Sequence, residues 1–259
     1  MTRSLTLIAL TLLLTTTLLT ADHHQPTNAK QSPARLETTI QKDLSLNYLI
    51  ALPTGYHASP DQTWPLILFL HGAGERGDDL NKVKAWGPPK KIEEGMPIPA
   101  IVVSPQCPQD SWWPDEVDAL HALLDQIEQT HNVDPDRIIV TGLSMGGFGT
   151  WSLVGSEPDR FAAAAPICGG ATWNDARTIG QHQVPLWNFH GEADNVVPID
   201  ESLRAMKRVR AAGHTTAKLT IYPNGNHGAW IPAYNDPELW TWMLNQNRAD
   251  RLAEETSNE

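Results

Sequence analysis

The sequence has few basic residues. Its 259 positions hold 19 lysines and arginines against 30 aspartates and glutamates, which gives a formal net charge of -11 and an isoelectric point near 5.3. Proteins that bind nucleic acids or anionic membranes concentrate positive charge at their surface. We therefore expect no nucleic acid partner, and the same negative charge disfavours heavily acidic polysaccharides as ligands.

The sequence also lacks an apolar run of the length that a transmembrane helix needs, about 20 residues. The longest candidate, Leu5–Leu19, is diluted by threonines and follows Arg3. A short apolar segment behind a positive charge is typical of a signal peptide, which we predict over residues 1–21 with cleavage after Ala21. An uncleaved anchor is the alternative. We expect a secreted or periplasmic protein without membrane contact after cleavage.

Cysteine is scarce as well, with two residues, Cys107 and Cys168. An even number in an exported protein permits one disulfide, and the sequence leaves both states open. No group of histidines, cysteines and acids has the spacing of a metal site. No Gly-Lys-Ser or Gly-Lys-Thr follows the glycine-rich stretch at His71–Gly77, so a phosphate-binding loop is not indicated. We expect no metal and no cofactor.

Apolar runs alternate with helical patterns over residues 36–248. Strands are predicted at 44–50, 65–70, 101–104, 138–141, 161–167, 184–191 and 218–222, and helices at 116–131 (with Asp115 as N-cap) and about 237–247. Continuous apolar strands are typical of a sheet buried on both faces. We predict one α/β domain over 36–248, a doubly wound and mostly parallel sheet with an antiparallel first strand. Residues 22–35 are predicted to be a disordered linker, and the charged tail 249–259 to fray.

The β-branched run Ile138–Thr141 leads directly into Gly-x-Ser-x-Gly at Gly142–Gly146, and a small-residue helical pattern follows. Strand, tight turn and helix form the context of a nucleophile elbow, which holds its serine in strained backbone geometry. Glycines are required where the strand and the helix crowd together. An ordinary turn is the alternative for the pentapeptide alone, and its flanking segments favour the elbow.

A serine is a weak nucleophile unless a base accepts its proton and a carboxylate orients that base. In a doubly wound sheet, such groups come from loops at the carboxyl ends of the strands. His227 follows the last predicted strand, and three acids follow the strand before it: Glu192, Asp194 and Asp200. We predict Asp194 as the partner, because Asp200 follows Pro198 and is expected to cap the next helix.

The order Ser144, Asp194, His227 along the chain is that of the α/β-hydrolases. Over about 36–247 the sequence resembles this superfamily, and in particular the secreted esterases near family 1 carbohydrate esterases and poly(3-hydroxybutyrate) depolymerases, some of whose relatives are labelled predicted peptidases. The segments that carry the resemblance are His71–Gly74, Gly142–Gly147, His190–Pro198 and His227–Trp230.

The resemblance implies an α/β-hydrolase fold and a role for each matching residue. Ser144 would be the nucleophile and His227 the general base and then acid, with Asp194 orienting the histidine. The backbone N–H groups of Ala73 and Met145 would form the oxyanion hole. The sequence has no segment for a helical cap domain between the last strands, so we expect an open site.

The resemblance also bears on residues near these motifs. His71 and His190 each precede a glycine at a strand end, where we expect structural roles under the site. In the usual hydrolase strand order, two strands would separate the strand ends that precede Cys107 and Cys168. At about 4.8 Å per strand, that separation exceeds the Cα distance that a disulfide spans, about 7 Å.

Tryptophan is frequent, with 10 residues. Five of them follow predicted strands: Trp86, Trp112, Trp113, Trp173 and Trp230. Indole rings beside an open site can lie against a sugar ring or an aromatic acyl group, with the N–H left to bond a hydroxyl. We predict four substrate-binding tryptophans: Trp86, Trp113, Trp173 and Trp230. Core packing is the alternative for these, and the expectation for Trp151, Trp187 and Trp240.

Together these patterns predict a secreted serine hydrolase that cleaves carboxylic esters through an acyl-enzyme. Its substrate would be a small-molecule or polysaccharide ester, with acetyl or hydroxycinnamoyl esters of a neutral plant or algal polysaccharide favoured. A serine peptidase and a polyester depolymerase are alternatives with the same chemistry. A binding protein on an inactive hydrolase fold is the non-enzymatic alternative, against which the intact set of Ser144, Asp194 and His227 argues.

Overall fold

The computed structural model describes residues 33–39 and 41–257. The predicted signal peptide, 1–21, and most of the predicted linker, 22–35, lie outside these residues. The described residues before Asp43 belong to a separate unit, are exposed and contain no helix or strand. The unit that starts at Asp43 contains every helix and strand that the structure describes.

Seven strands form one sheet in the order β1-β3-β2-β4-β5-β6-β7. Their bounds are β1 Asn47–Ala51, β2 Trp64–Leu70, β3 Ile101–Gln106, β4 Val133–Leu143, β5 Ala163–Ile167, β6 Trp187–Gly191 and β7 Lys218–Tyr222. The β1 strand pairs with β3 antiparallel, and every other pair is parallel. The predicted mostly parallel α/β sheet with an antiparallel first strand is confirmed.

Helices cover both faces of the sheet. They are α1 Gly87–Glu93, α2 Val117–Thr130, α3 Met145–Ser156, α4 Trp173–Gln181, α5 Asp200–Ala211, α6 Trp230–Asn235, α7 Pro237–Leu244 and α8 Arg248–Ser257. Apolar side chains of α2 to α5 pack on one face, and those of α1, α6 and α7 pack on the other. In the part of the chain that the structure describes, no helix combines the length and apolarity needed to cross a membrane.

The central strand β2 shows why the sheet is buried on both faces. Leu66, Leu68 and Leu70 point into the core beneath α2 to α5, whereas Ile67 and Phe69 point into the opposite core. Successive side chains of a strand alternate between faces, so a fully apolar run is stable only with helices on both sides. Three tryptophans predicted for the core are buried, as expected: Trp151, Trp187 and Trp240.

Two local predictions differ from the structure. Asp115 does not cap α2, because it lies in a 3-10 turn, Trp113–Glu116, that runs directly into the helix at Val117. The tail predicted to fray contains α8. Its Arg251 is 7% exposed and donates hydrogen bonds to the carbonyl oxygens of Pro158 and Phe161. These acceptors come from a distant turn, so charge composition alone did not indicate the docking of the helix.

Each of the two cysteines follows the carboxyl end of a strand, and two other strands separate them. Cys107 follows β3 and Cys168 follows β5, with β2 and β4 between them. Both are buried and free. Burial raises the pKa of the Cys107 thiol to about 12, which keeps it protonated.

The turn from β4 to α3 depends on two glycines. A Cβ on Gly146 would lie 1.8 Å from the carbonyl oxygen of Leu70, and one on Gly142 would lie 2.4 Å from the carbonyl oxygen of Gly146. Both obstacles are backbone atoms, which cannot rotate away as a side chain can. The expected crowding of strand and helix at this turn is therefore present.

Gly146→Ala should destabilise the fold by about 3 kcal/mol or more, because the added methyl forces α3 away from β2. Gly74→Ala is the matched control, since a Cβ at Gly74 meets no atom within 4 Å. Urea unfolding followed by circular dichroism gives both free energies of unfolding. Equal stability of the two variants would contradict the packing described for this turn.

Candidate active site

Ser144 is the single residue between the end of β4 at Leu143 and the start of α3 at Met145. Its φ of 52° and ψ of -115° are a strained combination for a residue with a side chain. Its N–H donates to the carbonyl oxygen of Ile167 in β5, at 2.8 Å. The turn is thus held from the neighbouring strand, with Ser144 at the N-terminal end of a helix.

His227 connects Ser144 to Asp194. Its Nε2 lies 2.9 Å from Ser144 Oγ, and its Nδ1 lies 2.7 Å from Asp194 Oδ2. A carboxylate can only accept, so the proton is assigned to Nδ1, and Nε2 is left to accept from the serine hydroxyl. The three residues follow β4, β6 and β7, which are parallel, so their loops meet at one edge of the sheet.

Asp194 is held by backbone groups as well as by the histidine. It is 8% exposed, and its Oδ1 accepts from the N–H groups of Val196 and Val197, each at 2.9 Å. Burial raises the pKa of Asp194, but the hydrogen bonds from His227 and from these two N–H groups outweigh burial. The net pKa lies below its ordinary value, so the carboxylate is ionised at neutral pH.

Among the described residues, His227 forms its ion pair with Asp194 and with neither of the two other acids considered from the sequence. Glu192 is exposed and accepts from the N–H of Asn224 at 3.1 Å. Asp200 is exposed and forms the first residue of α5, whose N-cap is Ile199. The expected capping bond of Asp200 is therefore absent from this helix end, although an acid in the first turn still complements the helix dipole.

His190 lies behind Asp194 and is fully buried. Its Nε2 is 2.9 Å from the carbonyl oxygen of Val197 and 3.4 Å from Asp194 Oδ2, and its Nδ1 is 2.7 Å from Ser202 Oγ. The Val197 oxygen can only accept, so Nε2 carries a proton. His190 therefore ties the loop after β6 to α5 and agrees with the structural role expected from the sequence.

His71 is the second buried histidine under the site, 1% exposed. Its Nε2 accepts from the N–H of Cys107 at 3.0 Å, so its Nδ1–H donates to the carbonyl oxygen of Gly72 at 2.6 Å. Burial lowers the pKa of His71 to about 4, which keeps the ring neutral. These contacts connect the loop after β2 to the loop after β3.

Cys168 lies beside the triad, a position that the sequence did not indicate. Its Sγ, a carboxylate oxygen of Asp194 and a ring nitrogen of His227 all lie within 4.8 Å of one another, which makes them potential metal ligands. However, Asp194 and His227 already bond each other. Burial raises the pKa of the Cys168 thiol to about 12, and a protonated thiol is a poor ligand. The location of Cys168 directly after β5, next to the elbow strand, was the available signal.

The two N–H groups predicted for an oxyanion hole both start helical turns near Ser144. Met145 is the first residue of α3, and Ala73 is the first residue of a 3-10 turn that follows β2. The first N–H groups of a helix have no partner within it. The Cβ position of Gly72 is 2.9 Å from a methyl group of Leu143, so the loop after β2 borders the elbow.

Trp113 was predicted to contact substrate, and the structure corrects this assignment. Its side chain is fully buried, its Nε1–H donates to the carbonyl oxygen of His71 at 2.9 Å, and its Cβ packs on Gly149. Trp112 is 37% exposed and lies 5.9 Å from the ring of Phe148. The backbone at Trp112 is extended, so the side chains of Trp112 and Trp113 point in opposite directions. Only one of these two indole rings can therefore face solvent.

Trp230 contacts His227, and Trp86 contacts Trp230. The ring of Trp230 meets the His227 ring edge-on at 5.2 Å, and the ring of Trp86 meets Trp230 at 5.8 Å. The Trp230 Nε1 is buried and has no hydrogen-bond partner among the described residues. Its N–H is therefore not positioned to bond a substrate hydroxyl, and the contribution that the structure allows is contact with the rings.

Trp173, the fourth predicted substrate contact, is 55% exposed at the start of α4. The guanidinium of Arg177 lies over its ring at 5.3 Å. Arg177 lies on α4, and among the described residues no ring contact joins Trp173 to the triad. The structure thus brings Ser144, His227 and Asp194 together, and no described contact joins Trp173 to them.

Several known proteins with similar sequences or structures are named as esterases. A solved structure of a thermostable esterase has a TM-score of 0.68 and 33% identity, covering 78% of this chain and 59% of that chain. The bifunctional acetylxylan esterase/xylanase XynS20E of Neocallimastix patriciarum is 27% identical over 192 residues, 69% of this chain and 26% of the relative. An Aspergillus niger protein named "Probable feruloyl esterase C" is 25% identical over 185 residues, 70% of this chain and 67% of the relative.

The chain spans only part of several curated relatives that it matches, 52%, 26% and 19% of the length of three of them. The similarity agrees with the predicted class, a carboxylic ester hydrolase with the α/β-hydrolase fold. The dienelactone hydrolase family model matches residues 109–251, which is more than half of the 259 residues. The chain therefore belongs to the dienelactone hydrolase family.

Proposed function

We propose that this protein hydrolyses carboxylic esters through an acyl-enzyme formed on Ser144. One observation carries the proposal: the hydrogen-bonded series from Ser144 Oγ through His227 to Asp194, with distances of 2.9 and 2.7 Å. The buried, ionised carboxylate fixes the tautomer in which His227 Nε2 faces the serine hydroxyl. This arrangement supports nucleophilic attack by serine more directly than any other chemistry.

In the first half of the reaction, Ser144 Oγ attacks the acyl carbon while His227 Nε2 accepts the hydroxyl proton. The carbonyl oxygen becomes an oxyanion, which the N–H groups of Met145 and Ala73 stabilise, helped by the N-terminus of α3. The oxyanion then reforms the carbonyl and expels the alcohol oxygen, which takes the proton from Nε2. The alcohol leaves, and the acyl group remains on Ser144.

In the second half, water attacks the acyl carbon and His227 Nε2 accepts one of its protons. Collapse of the second tetrahedral intermediate breaks the bond to Oγ, and the proton returns to Ser144. The products are the carboxylic acid and the free enzyme. Asp194 stays ionised throughout and stabilises the imidazolium that forms twice in each cycle.

We further propose that the substrates are acetyl or hydroxycinnamoyl esters of polysaccharides, and that the protein acts after export. Relatives named for acetylxylan and feruloyl ester hydrolysis support this substrate class. The ring of Trp230 beside His227, with the ring of Trp86 next to it, supports contact with an aromatic acyl group or a sugar face. The apolar segment at residues 5–19 behind Arg3 supports export.

A fluorophosphonate probe separates the enzyme from a binding protein on an inactive fold. The probe should label the wild-type protein and fail to label Ser144→Ala, because it reacts with an activated serine. A parallel panel of acetyl, feruloyl, polyester and peptide substrates distinguishes the esterase from a depolymerase and a peptidase. Absence of labelling in the folded wild-type protein would support the binding protein instead.

Ser144→Ala should lower kcat for nitrophenyl acetate by on the order of 10⁴–10⁶, because the site loses its nucleophile. Circular dichroism and thermal melting should match those of the wild type, which shows that the loss is chemical. Residual activity above a few per cent in a preparation free of other esterases would overturn the assignment of Ser144.

Asp194→Asn should lower kcat by several orders of magnitude, because the amide favours the wrong tautomer of His227. Asp200→Asn is the matched control, because Asp200 is an exposed acid at the start of α5. Substitutions at exposed positions usually have small effects, so this variant should change kcat less than about threefold. Steady-state kinetics of the two variants show whether Asp194 or Asp200 orients His227. A severe loss in Asp200→Asn with an active Asp194→Asn would be incompatible with the proposed triad.

Activity should fall as pH decreases from 8 to 5, because a protonated imidazole at His227 cannot accept the serine proton. Asp194, whose pKa is held below its ordinary value, stays ionised there and does not cause the decrease. The log of kcat/KM for nitrophenyl acetate should approach a slope of one at low pH. A rate unchanged over this range would exclude a histidine base.

Trp230→Ala should raise KM about three- to tenfold for a feruloylated or acetylated oligosaccharide, and less for nitrophenyl acetate, because ring contacts with the larger substrate are lost. Trp113→Ala provides the contrast. Since Trp113 is fully buried, its loss should lower the melting temperature instead. Equal KM changes of Trp230→Ala for both substrates would show that this ring does not contact the sugar or its acyl group.

A further inference from the structure

A groove of about 370 Å³ between α4 and α5 lies outside the triad. Its lining residues are Trp173, Arg177 and Gln181 from α4, and Arg208, Ala211 and Ala212 from α5. The volume falls within the usual size of small-molecule sites, roughly 300–1,000 Å³. The groove presents two arginines and an exposed tryptophan on a chain whose formal net charge is -11.

The two arginines of the groove are not used for ion pairs. Among the residues that the structure describes, neither Arg177 nor Arg208 forms a salt bridge, whereas Arg160 and Arg248 each pair with an aspartate. The contact found for the Arg177 guanidinium is the ring of Trp173, at 5.3 Å. The hydrogen-bond donors of Arg177 and Arg208 are thus available to an anionic ligand.

The α4 residues of the groove form one stripe. Trp173, Arg177 and Gln181 are spaced by four positions, which places them on one face of the helix over about 12 Å. An indole ring can lie against a pyranose face, a guanidinium can bind a carboxylate through two parallel hydrogen bonds, and a glutamine amide can bond hydroxyls. An acidic sugar unit offers all three partners.

The groove lies apart from the triad, and the chain that joins them limits the distance between the two. Cys168, whose Sγ contacts the carbonyl oxygen of His227 at 3.5 Å, precedes Trp173 by five residues. Five residues of chain span at most about 18 Å, so one oligosaccharide can reach from the triad to the groove.

We propose that this groove binds a uronic acid side group of the same polysaccharide whose ester the triad cleaves, a proposal that rests on the proposed function. The net negative charge still disfavours a heavily acidic polymer. Its field decays over about 8 Å at physiological salt, so the nearby arginines dominate for a single carboxylate that enters the groove. The substrate class is therefore a largely neutral polysaccharide with sparse acidic side groups.

Calorimetric titration of the wild-type protein with two ester-free probes tests the proposal. The probes are a xylo-oligosaccharide with one glucuronic acid side group and the same oligosaccharide without it. The acidic probe should bind about tenfold more tightly, and higher salt should reduce this difference. Neither probe contains an ester, so the result is independent of catalysis, and nitrophenyl acetate hydrolysis tests the proposed function separately.

Single substitutions locate the binding site. Arg177→Gln and Arg208→Gln should each weaken the acidic probe about tenfold, because each removes a charged hydrogen-bond donor. Lys207→Gln is the matched control, an exposed cation on α5 that does not line the groove, and should change affinity less than twofold. Equal affinity for both probes, no binding of either, or an equal loss in Lys207→Gln would overturn the proposal.

Discussion

The close contact between β2 and α3 is the constraint on which the site depends. Gly146 lies so near the carbonyl oxygen of Leu70 that no side chain fits between them. This contact lets α3 start directly after β4, and the one residue between them, Ser144, is left with a positive φ of 52°. Such strain costs roughly 1–3 kcal/mol and persists only where surrounding packing enforces it. The large core on both faces of the sheet provides that packing.

The parallel sheet then determines which groups can reach Ser144. The loops after β4, β6 and β7 start at the same edge of the sheet, so a serine, a carboxylate and a histidine that are distant in sequence meet there. Around Asp194, two backbone N–H groups and the buried His190 restrict the carboxylate to one orientation. The catalytic geometry proposed here is thus a consequence of the fold and of hydrogen bonds that local loops supply.

Local sequence patterns predicted those parts of the molecule that local physics determines. The Gly-x-Ser-x-Gly turn and the apolar strands follow from steric and periodic constraints, and the position of Asp194 after a strand follows from the parallel topology. By contrast, the burial of Trp113 rather than its neighbour, the position of Cys168 beside His227 and the docking of Arg251 depend on distant segments. Tertiary packing decides which ring faces the core and which carbonyl oxygens meet a guanidinium, and residue types alone do not encode those pairings.

Detection of the acyl-enzyme is the most direct test of the central claim, that Ser144 carries the acyl group during ester hydrolysis. Rapid acid quenching of the protein with nitrophenyl acetate, followed by peptide mass spectrometry, identifies the acylated residue. The account predicts one acetyl group on the peptide that contains Ser144, formed and lost at rates consistent with turnover. Acetylation at Cys168 or another residue instead, or rapid turnover without any covalent intermediate, would contradict it.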